Sequence, residues 1–454
     1  MKALQGANNI NNMINLLMIA YEFPPLNSGG SHRPYKFAKW LSEFGINPII
    51  LTPKIEAHSG INIDSSFDNN LNFKVIRTEI TPFKKFDKIY ESYYFNIIDR
   101  SAAKWEHYLI NAIDNLLKEQ KIDAIYITAP PFSMASIGVR LKKRYNLPLM
   151  LDMRDAWSNW LVTPYVSYIH YKLTLRAERK SLKAADVIIV TSEQTIADFK
   201  KLHPFISTDK FQLITNAYDE SVPKFEDTLK INAPTEDKIL KIGYVGSFYY
   251  TPYQRSMMFN PFWKKKPQQI FQYTPRKEDW LYRSPFFFFR ALAALKEKNQ
   301  ALSKKIKAVF AGSVPDWLPE MINNFKLADM VELKGRMSHK EALAFQAECD
   351  MLLITSSKVI GGNDYSIAGK TFEYICMKKP ILAFVCEGAQ KKLLEKTGLS
   401  IVLDPDKTDF AVENMEKFLN GNFHLSPNID FIAALHIKNT TAQLADIIKK
   451  LVHV

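Results

Sequence analysis

The sequence predicts an α/β fold of two doubly wound parallel-sheet domains facing each other across a cleft, and three observations predict it. At 454 residues the chain is too long for one hydrophobic core and long enough for two domains of about 200 residues each. Short, nearly continuous apolar runs alternate with amphipathic stretches along its length, as expected of parallel strands buried on both faces and the helices that cover them. The alternation breaks once, over 223–238, where Pro, Asp, Glu and Lys give the composition of a linker.

In order, 1–12 is polar and reads as a flexible N-terminus, and 13–222 as the first domain. Its strand candidates are 14–21, 48–52, 73–77, 124–128, 148–152, 187–191 and 212–215, with helical patterns at 102–119, 132–144, 171–184 and 193–202. The second domain, 239–425, repeats the scheme with runs at 239–245, 306–311, 330–333, 351–355, 380–384 and 400–403. An insertion over 250–283 separates its first strand from its first helix. The last segment, 426–454, puts Leu444, Ile447, Ile448 and Leu451 on one helical face, so it is expected to cross back and pack on the first domain.

Composition narrows the partners. Hydrophobic residues at 47% and charged residues at 24% exclude a disordered chain, and 60 Lys+Arg against 47 Asp+Glu give +13, which suits a polyanion, an anionic membrane surface or a phosphorylated ligand. The insertion interleaves Phe262, Trp263, Tyr273 and Trp280 with Lys264, Lys265, Lys266, Arg276 and Lys277. Such a mixture can bind single-stranded nucleic acid, a lipid headgroup surface or an acceptor; it is read here as an ordered insertion near the cleft mouth, with no nucleic-acid partner. Cys349, Cys376 and Cys386 lack CxxC spacing, so neither a disulfide framework nor a zinc site is expected. No apolar run approaches the ~20 residues that span a bilayer, and no signal pattern opens the chain. The expected location is the cytoplasm, including the inner face of its membrane.

In doubly wound sheets ligands sit beyond the carboxyl ends of the strands. In the second domain, Gly369-Lys370-Thr371-Phe372-Glu373-Tyr374 follows a Gly/Asn/Asp/Ser-rich loop and opens a helix whose Phe372, Ile375 and Cys376 share one face. A lysine in a first helical turn is electrostatically misplaced unless an anion sits there; Gly369 would let a phosphate approach and Glu373 could accept from the hydroxyls of a ribose. A Lys–Glu pair at i, i+3 on a solvated helix is the other reading. In the first domain, Gly29-Gly30 precedes His32 in a loop that is not GxGxxG. After the fifth run, Arg154 and Asp155 could orient acceptor hydroxyls and Trp157 could stack on a sugar face; an Arg–Asp pair capping a helix would look the same.

The first-domain loop ending in Gly29-Gly30, Leu151-Asp152-Met153-Arg154-Asp155-Ala156-Trp157, Thr215-Asn216-Ala217-Tyr218-Asp219, Tyr244-Val245-Gly246-Ser247 and Gly369 to Tyr374 with Lys379-Pro380-Ile381 stand in the order found in one family. The chain resembles the GT-B nucleotide-sugar glycosyltransferases, specifically the retaining family 4 group. The resemblance implies two Rossmann-like domains, with the acceptor at Gly29, Gly30, His32, Arg154, Asp155 and Trp157. It places the donor at Gly246, Ser247, Arg283, Arg336 and Ser366, and at Gly369, Lys370, Thr371 and Glu373. Glu373, Arg283 and Asp155 are the implied catalytic residues, with Glu373 on the donor ribose. Three departures stand out: Tyr365 where the family has the first glutamate of its paired motif, Ser247 where it has an arginine, and Arg283 for its phosphate-binding lysine.

The implied activity is retaining, metal-independent sugar transfer in cell-surface polysaccharide, lipopolysaccharide or glycolipid synthesis. The nucleotide-diphosphate sugar is co-substrate, with no other cofactor. The implied acceptor is a carbohydrate or lipid-linked one, with peripheral association at an anionic membrane. Two rivals stay open: an inverting enzyme with Asp155 or His32 as base, and a catalytically silent nucleotide-binding protein, suggested by Tyr365 and Ser247.

Overall fold

The structure, a computed structural model, describes residues 13–57, 63, 71–82, 100–159, 164–219 and 239–453. The N-terminus read at 1–12 and the linker read at 223–238 lie outside the described residues. Seven strands form the first sheet: β1 (Ile14–Ile19), β2 (Ile46–Pro53), β3 (Lys74–Thr78), β4 (Ala124–Ala129), β5 (Leu149–Met153), β6 (Val187–Val190) and β7 (Phe211–Leu213). Every pairing is parallel, and the order β3-β2-β1-β4-β5-β6-β7 reverses direction between β1 and β4. Their apolar runs are continuous because helices cover both faces. Leu17 and Ile19 enter one core cluster, whereas Leu16 and Met18 enter the other.

The second sheet is built from β8 (Leu240–Val245), β10 (Ile306–Ala311), β11 (Val331–Gly335), β12 (Met351–Thr355), β14 (Ile381–Phe384) and β15 (Ser400–Leu403). It runs β11-β10-β8-β12-β14-β15, with its own switch between β8 and β12. Met351 and Leu353 point to one core cluster and Leu352 and Ile354 to the other. Such switch points leave a crevice beyond the strand ends. The final helix, Ile437–Val452, crosses back: its Leu444, Ala445 and Ile448 lie fully buried in the cluster that holds Leu16, Phe37 and Leu41 of the first domain.

The insertion is a strap between the domains. Its two-residue strand β9 (Glu278–Asp279) pairs antiparallel with β13 (Lys358–Val359) of its own domain. Just before β9, Tyr273 exchanges backbone hydrogen bonds of 3.0 and 2.9 Å with Tyr165 of the first domain. Arg276 pairs at 3.0 Å with Asp198 of the first domain and also engages Glu278. Burial pushes the Glu278 carboxyl up to about 7, opposed by the Arg276 charge.

Candidate active site

The residues expected to hold the donor gather where β8, β10 and β12 end. Gly246 leaves β8 with φ +119 and donates its N–H to the Ala311 carbonyl at 2.8 Å. Gly312, φ +148, packs so closely that a Cβ there would run into the Gly246 carbonyl. Glycine at both places therefore keeps two strand-end loops flat against each other. Across Gly246 lies Lys370: its Nζ would stand 3.0 Å from any Cβ at Gly246, and it rests 3.7 Å from the centre of the Tyr244 ring. Burial and then the nearby charge of Arg283 press the ammonium down to about 7, partly offset by Glu373.

Arg283 opens on the same space. Its guanidinium lies 5.3 Å from the Trp280 ring and 5.6 Å from that of Tyr249, and reaches the Ser366 hydroxyl at 3.4 Å. Ser366 is held by Asp364, which accepts from both its N–H and its hydroxyl at 2.9 and 2.8 Å. The Arg283 carbonyl accepts from Thr355 at the end of β12, so the backbone beneath the guanidinium is fixed. Neither Lys370 nor Arg283 has a carboxylate within ion-pair distance among the described residues. Two basic groups that repel each other, with only the partial offset of Glu373 at Lys370, make a site that an anion would relieve.

One turn beyond Lys370, Glu373 accepts at 3.0 Å from Nε2 of Gln346, a residue the sequence reading missed. Gln346 is buried and its Oε1 has no partner among the described residues, so its amide serves to aim Glu373. Gly369 is exposed, and nothing of the chain lies within 4 Å of where its Cβ would be. Ser247, also exposed, accepts from Ser313 at 2.7 Å, and Arg336 is exposed after Gly335, which turns with φ +73.

Two donor-side expectations are corrected. Thr371 does not face the crevice: it is buried and donates to Gln390 at 3.2 Å, because its helix turns that position into the core. The helix Lys370–Cys376 has only seven residues, and the N–H groups of Thr371 and Phe372 donate to the carbonyls of Ala368 and Gly369. The grip on an anion thus falls to side-chain cations more than to helix-end amides.

The acceptor side is more structural than its motif suggested. Arg154 donates to the carbonyls of Gly29, at 3.2 Å, and Pro130, and its own carbonyl accepts from Thr191 at 3.1 Å. It ties three loops together and is not free to orient an acceptor. A Cβ at Gly30 would press on the Glu22 carboxylate and sit 3.2 Å from Arg154, so a larger residue there would make those two side chains shift. Trp157 is buried and stacked on Phe132 with centroids 5.6 Å apart and planes 5° from parallel, so its face is taken by protein and not by a sugar. His32 meets Asn27 at 3.1 Å, and its ring is 6.4 Å from that of His339 across the cleft.

Asp155 interacts electrostatically with both domains. Burial raises its carboxyl above the usual range, opposed by the charges of Arg154 and Arg283, and it acts electrostatically on the buried phenol of Tyr365. Tyr365 lies beneath Arg276, 5.0 Å from its guanidinium, and its carbonyl accepts from Ser192 of the first domain at 2.7 Å. The sequence reading also missed the network behind the acceptor loops. Arg33 is buried, makes a bidentate pair with Asp152 at 2.9 and 3.1 Å, and donates to the carbonyls of Ile214 and Thr215, each at 2.8 Å; Tyr126 donates to the same carboxylate. The available signal was Asp152 itself, a carboxylate ending an apolar run, which needs a buried partner.

With this geometry in view, the chain can be set beside known proteins. Residues 28–222 match the model of Glycosyltransferase Family 4. No curated protein matches the sequence. Among solved structures, Anabaena HepE in complex with UDP and glucose superposes with a TM-score of 0.54 at 13% identity, covering 97% of each chain. The lipopolysaccharide outer core galactosyltransferase WaaB gives 0.57 at 12% identity over 96% of this chain and all of that one. WaaG, a glycosyltransferase of lipopolysaccharide biosynthesis, gives 0.53 at 14% identity over 95% of each. The two parallel-sheet domains share the GT-B fold of these glycosyltransferases. Within it, residues 28–222 are similar to glycosyltransferase family 4.

Proposed function

We propose that the chain moves a sugar from a nucleoside-diphosphate donor to a hydroxyl of a carbohydrate or lipid-linked acceptor, in the cytoplasm, during polysaccharide or lipopolysaccharide assembly. The observation that carries this reading is the pair Lys370 and Arg283, close enough to repel and neither in an ion pair among the described residues, with Lys370 lying across Gly246 at the strand ends. Similarity to WaaB and WaaG supports the pathway class, and HepE, solved with UDP-glucose, supports the donor class.

As the bond from the anomeric carbon to the diphosphate breaks, its electron pair leaves with the phosphate oxygen. Stabilising that oxygen is the main catalytic task, and Lys370 and Arg283 are the groups placed to do it. Glu373, aimed by Gln346, holds the ribose. The two cations occupy the role a divalent ion plays in other transferases, which supports a metal-independent reaction. In the retaining course, the acceptor hydroxyl bonds to the anomeric carbon on the face the diphosphate leaves, and its proton passes to the departing phosphate oxygen.

A second reading rests on Asp155, whose raised carboxyl faces Arg283 and would serve as a general base for inversion. Incubation with UDP-, GDP- and dTDP-sugars, with Glu373→Ala as control, tests the activity, and NMR of the product anomer separates the two courses. Retained configuration is expected, with turnover by Glu373→Ala about tenfold or more lower at sub-saturating donor; turnover unaffected by that change would overturn the donor assignment.

A further inference from the structure

We propose that the chain docks on an anionic lipid surface through one composite face, formed by the insertion of the second domain and the helix Tyr168–Ala184 of the first. The purpose of docking rests on the lipid-linked acceptor of the proposed function; the physical argument does not. On the insertion, Trp263 is 81% exposed, Phe271 79% and Phe262 64%; on the helix, Ile169 is 68% exposed. Large apolar side chains gathered in water mark a surface that meets something apolar. The backbone exchange between Tyr165 and Tyr273 makes the two parts contiguous, and the Tyr168 ring stands edge-on to Tyr273 at 4.9 Å. Ile270 and Phe271, just before Tyr273, are thereby carried toward Tyr168 and Ile169.

Charge selects the occupant. No Asp or Glu occurs from Gly246 to Lys277, whereas that stretch holds the consecutive Lys264, Lys265 and Lys266, which have no ion-pair partner among the described residues. The helix exposes Lys172, Arg176, Arg179, Lys180 and Lys183. Its one carboxylate, Glu178, is buried against His203 and Ser158. Lysines beside Trp, Phe and Ile are the pairing that anionic headgroups and the upper acyl region satisfy together. A second copy would bring like charge against like charge. Trp263, Phe262 and Phe271 could each stack on a base, but Ile169, Leu173 and Ile270 offer a base nothing, whereas an acyl layer meets all six.

The test is flotation of the full chain with vesicles of phosphatidylcholine, with and without phosphatidylglycerol. Three variants are compared: Trp263→Ser with Phe271→Ser; Lys264→Glu with Lys265→Glu and Lys266→Glu; and Ile169→Ser with Leu173→Ser. All seven side chains lie at the surface, and a melting curve confirms that each variant folds. Binding to the phosphatidylglycerol vesicles is expected, falling at least about tenfold in each variant, on pure phosphatidylcholine and at high salt. Equal binding to both vesicle types, no binding, or binding unchanged in the variants would overturn the proposal. So would tight binding of oligo-dT, or a dimer of the free protein, abolished by the same changes. Thermal shifts given by UDP, GDP or dTDP are expected to be the same in the variants as in the parent. A failed flotation thus leaves the donor assignment standing, and a missing nucleotide shift counts against that assignment alone.

Discussion

The ammonium of Lys370 rests 3.7 Å from the centre of the Tyr244 ring, on the same side as Arg283, and has no ion-pair partner among the described residues. Its pKa is pressed from the ordinary 10.5 down to about 7 in the folded chain. Between those values the unfolded chain holds a proton that the folded one lacks, so this group makes the ligand-free protein more stable as pH rises from about 7 toward 10. A bound diphosphate reverses the balance by favouring the charged amine. Nucleoside diphosphate binding at pH 8 is therefore expected to take up protons. Calorimetry in buffers of different ionisation enthalpy measures that uptake, which Lys370→Met removes.

Arg283 and Glu373 divide the donor between them. Arg283→Ala is expected to lower kcat by about two to three orders of magnitude, since it deletes charge stabilisation of the leaving group. Glu373→Ala is expected to raise the donor KM about tenfold or more through lost hydrogen bonds to a charged acceptor. Steady-state kinetics reads both, and unchanged melting of each variant shows that the loss is not unfolding.

Arg33 is predicted to matter for folding and not for chemistry. Removing it leaves the Asp152 carboxylate buried with only Tyr126, so Arg33→Ala should cost about 3–5 kcal/mol in a denaturant titration. Replacing both partners, Arg33→Met with Asp152→Leu, should cost less than either single change.

Trp157 makes the same distinction on the acceptor side. Its stacking on Phe132 within the core predicts a loss of about 3–5 kcal/mol for Trp157→Ala, measured by denaturation, with acceptor preference unchanged in the surviving folded fraction.

These contrasts show what a sequence can and cannot reveal. The strands of the seven- and six-stranded sheets were legible because parallel strands buried on both faces leave continuous apolar runs. Strands β9 and β13, two residues each, are too short to carry a period, so the strap they anchor was seen only as an odd composition. Lys370 and Glu373 were named from the chemistry of a helix start and Arg283 from motif order, and the three stand within electrostatic reach of one another. Arg154, Trp157 and Thr371 sit in the same kind of motif, yet packing alone decides which way a side chain turns, and these three turn inward or are tied down. Arg33 and Gln346 were missed because a lone arginine or glutamine in a helical pattern looks solvated until its carboxylate partner, Asp152 or Glu373, is in place.

The central claim is that a pyrophosphate lies between Lys370 and Arg283, over Gly246. A crystal structure with a bound nucleoside diphosphate tests it most directly. The account predicts phosphate oxygens within hydrogen-bonding distance of both cations and the ribose hydroxyls on Glu373. A nucleotide bound elsewhere, with Lys370 still lying against Tyr244 and its ammonium facing no phosphate, would contradict it.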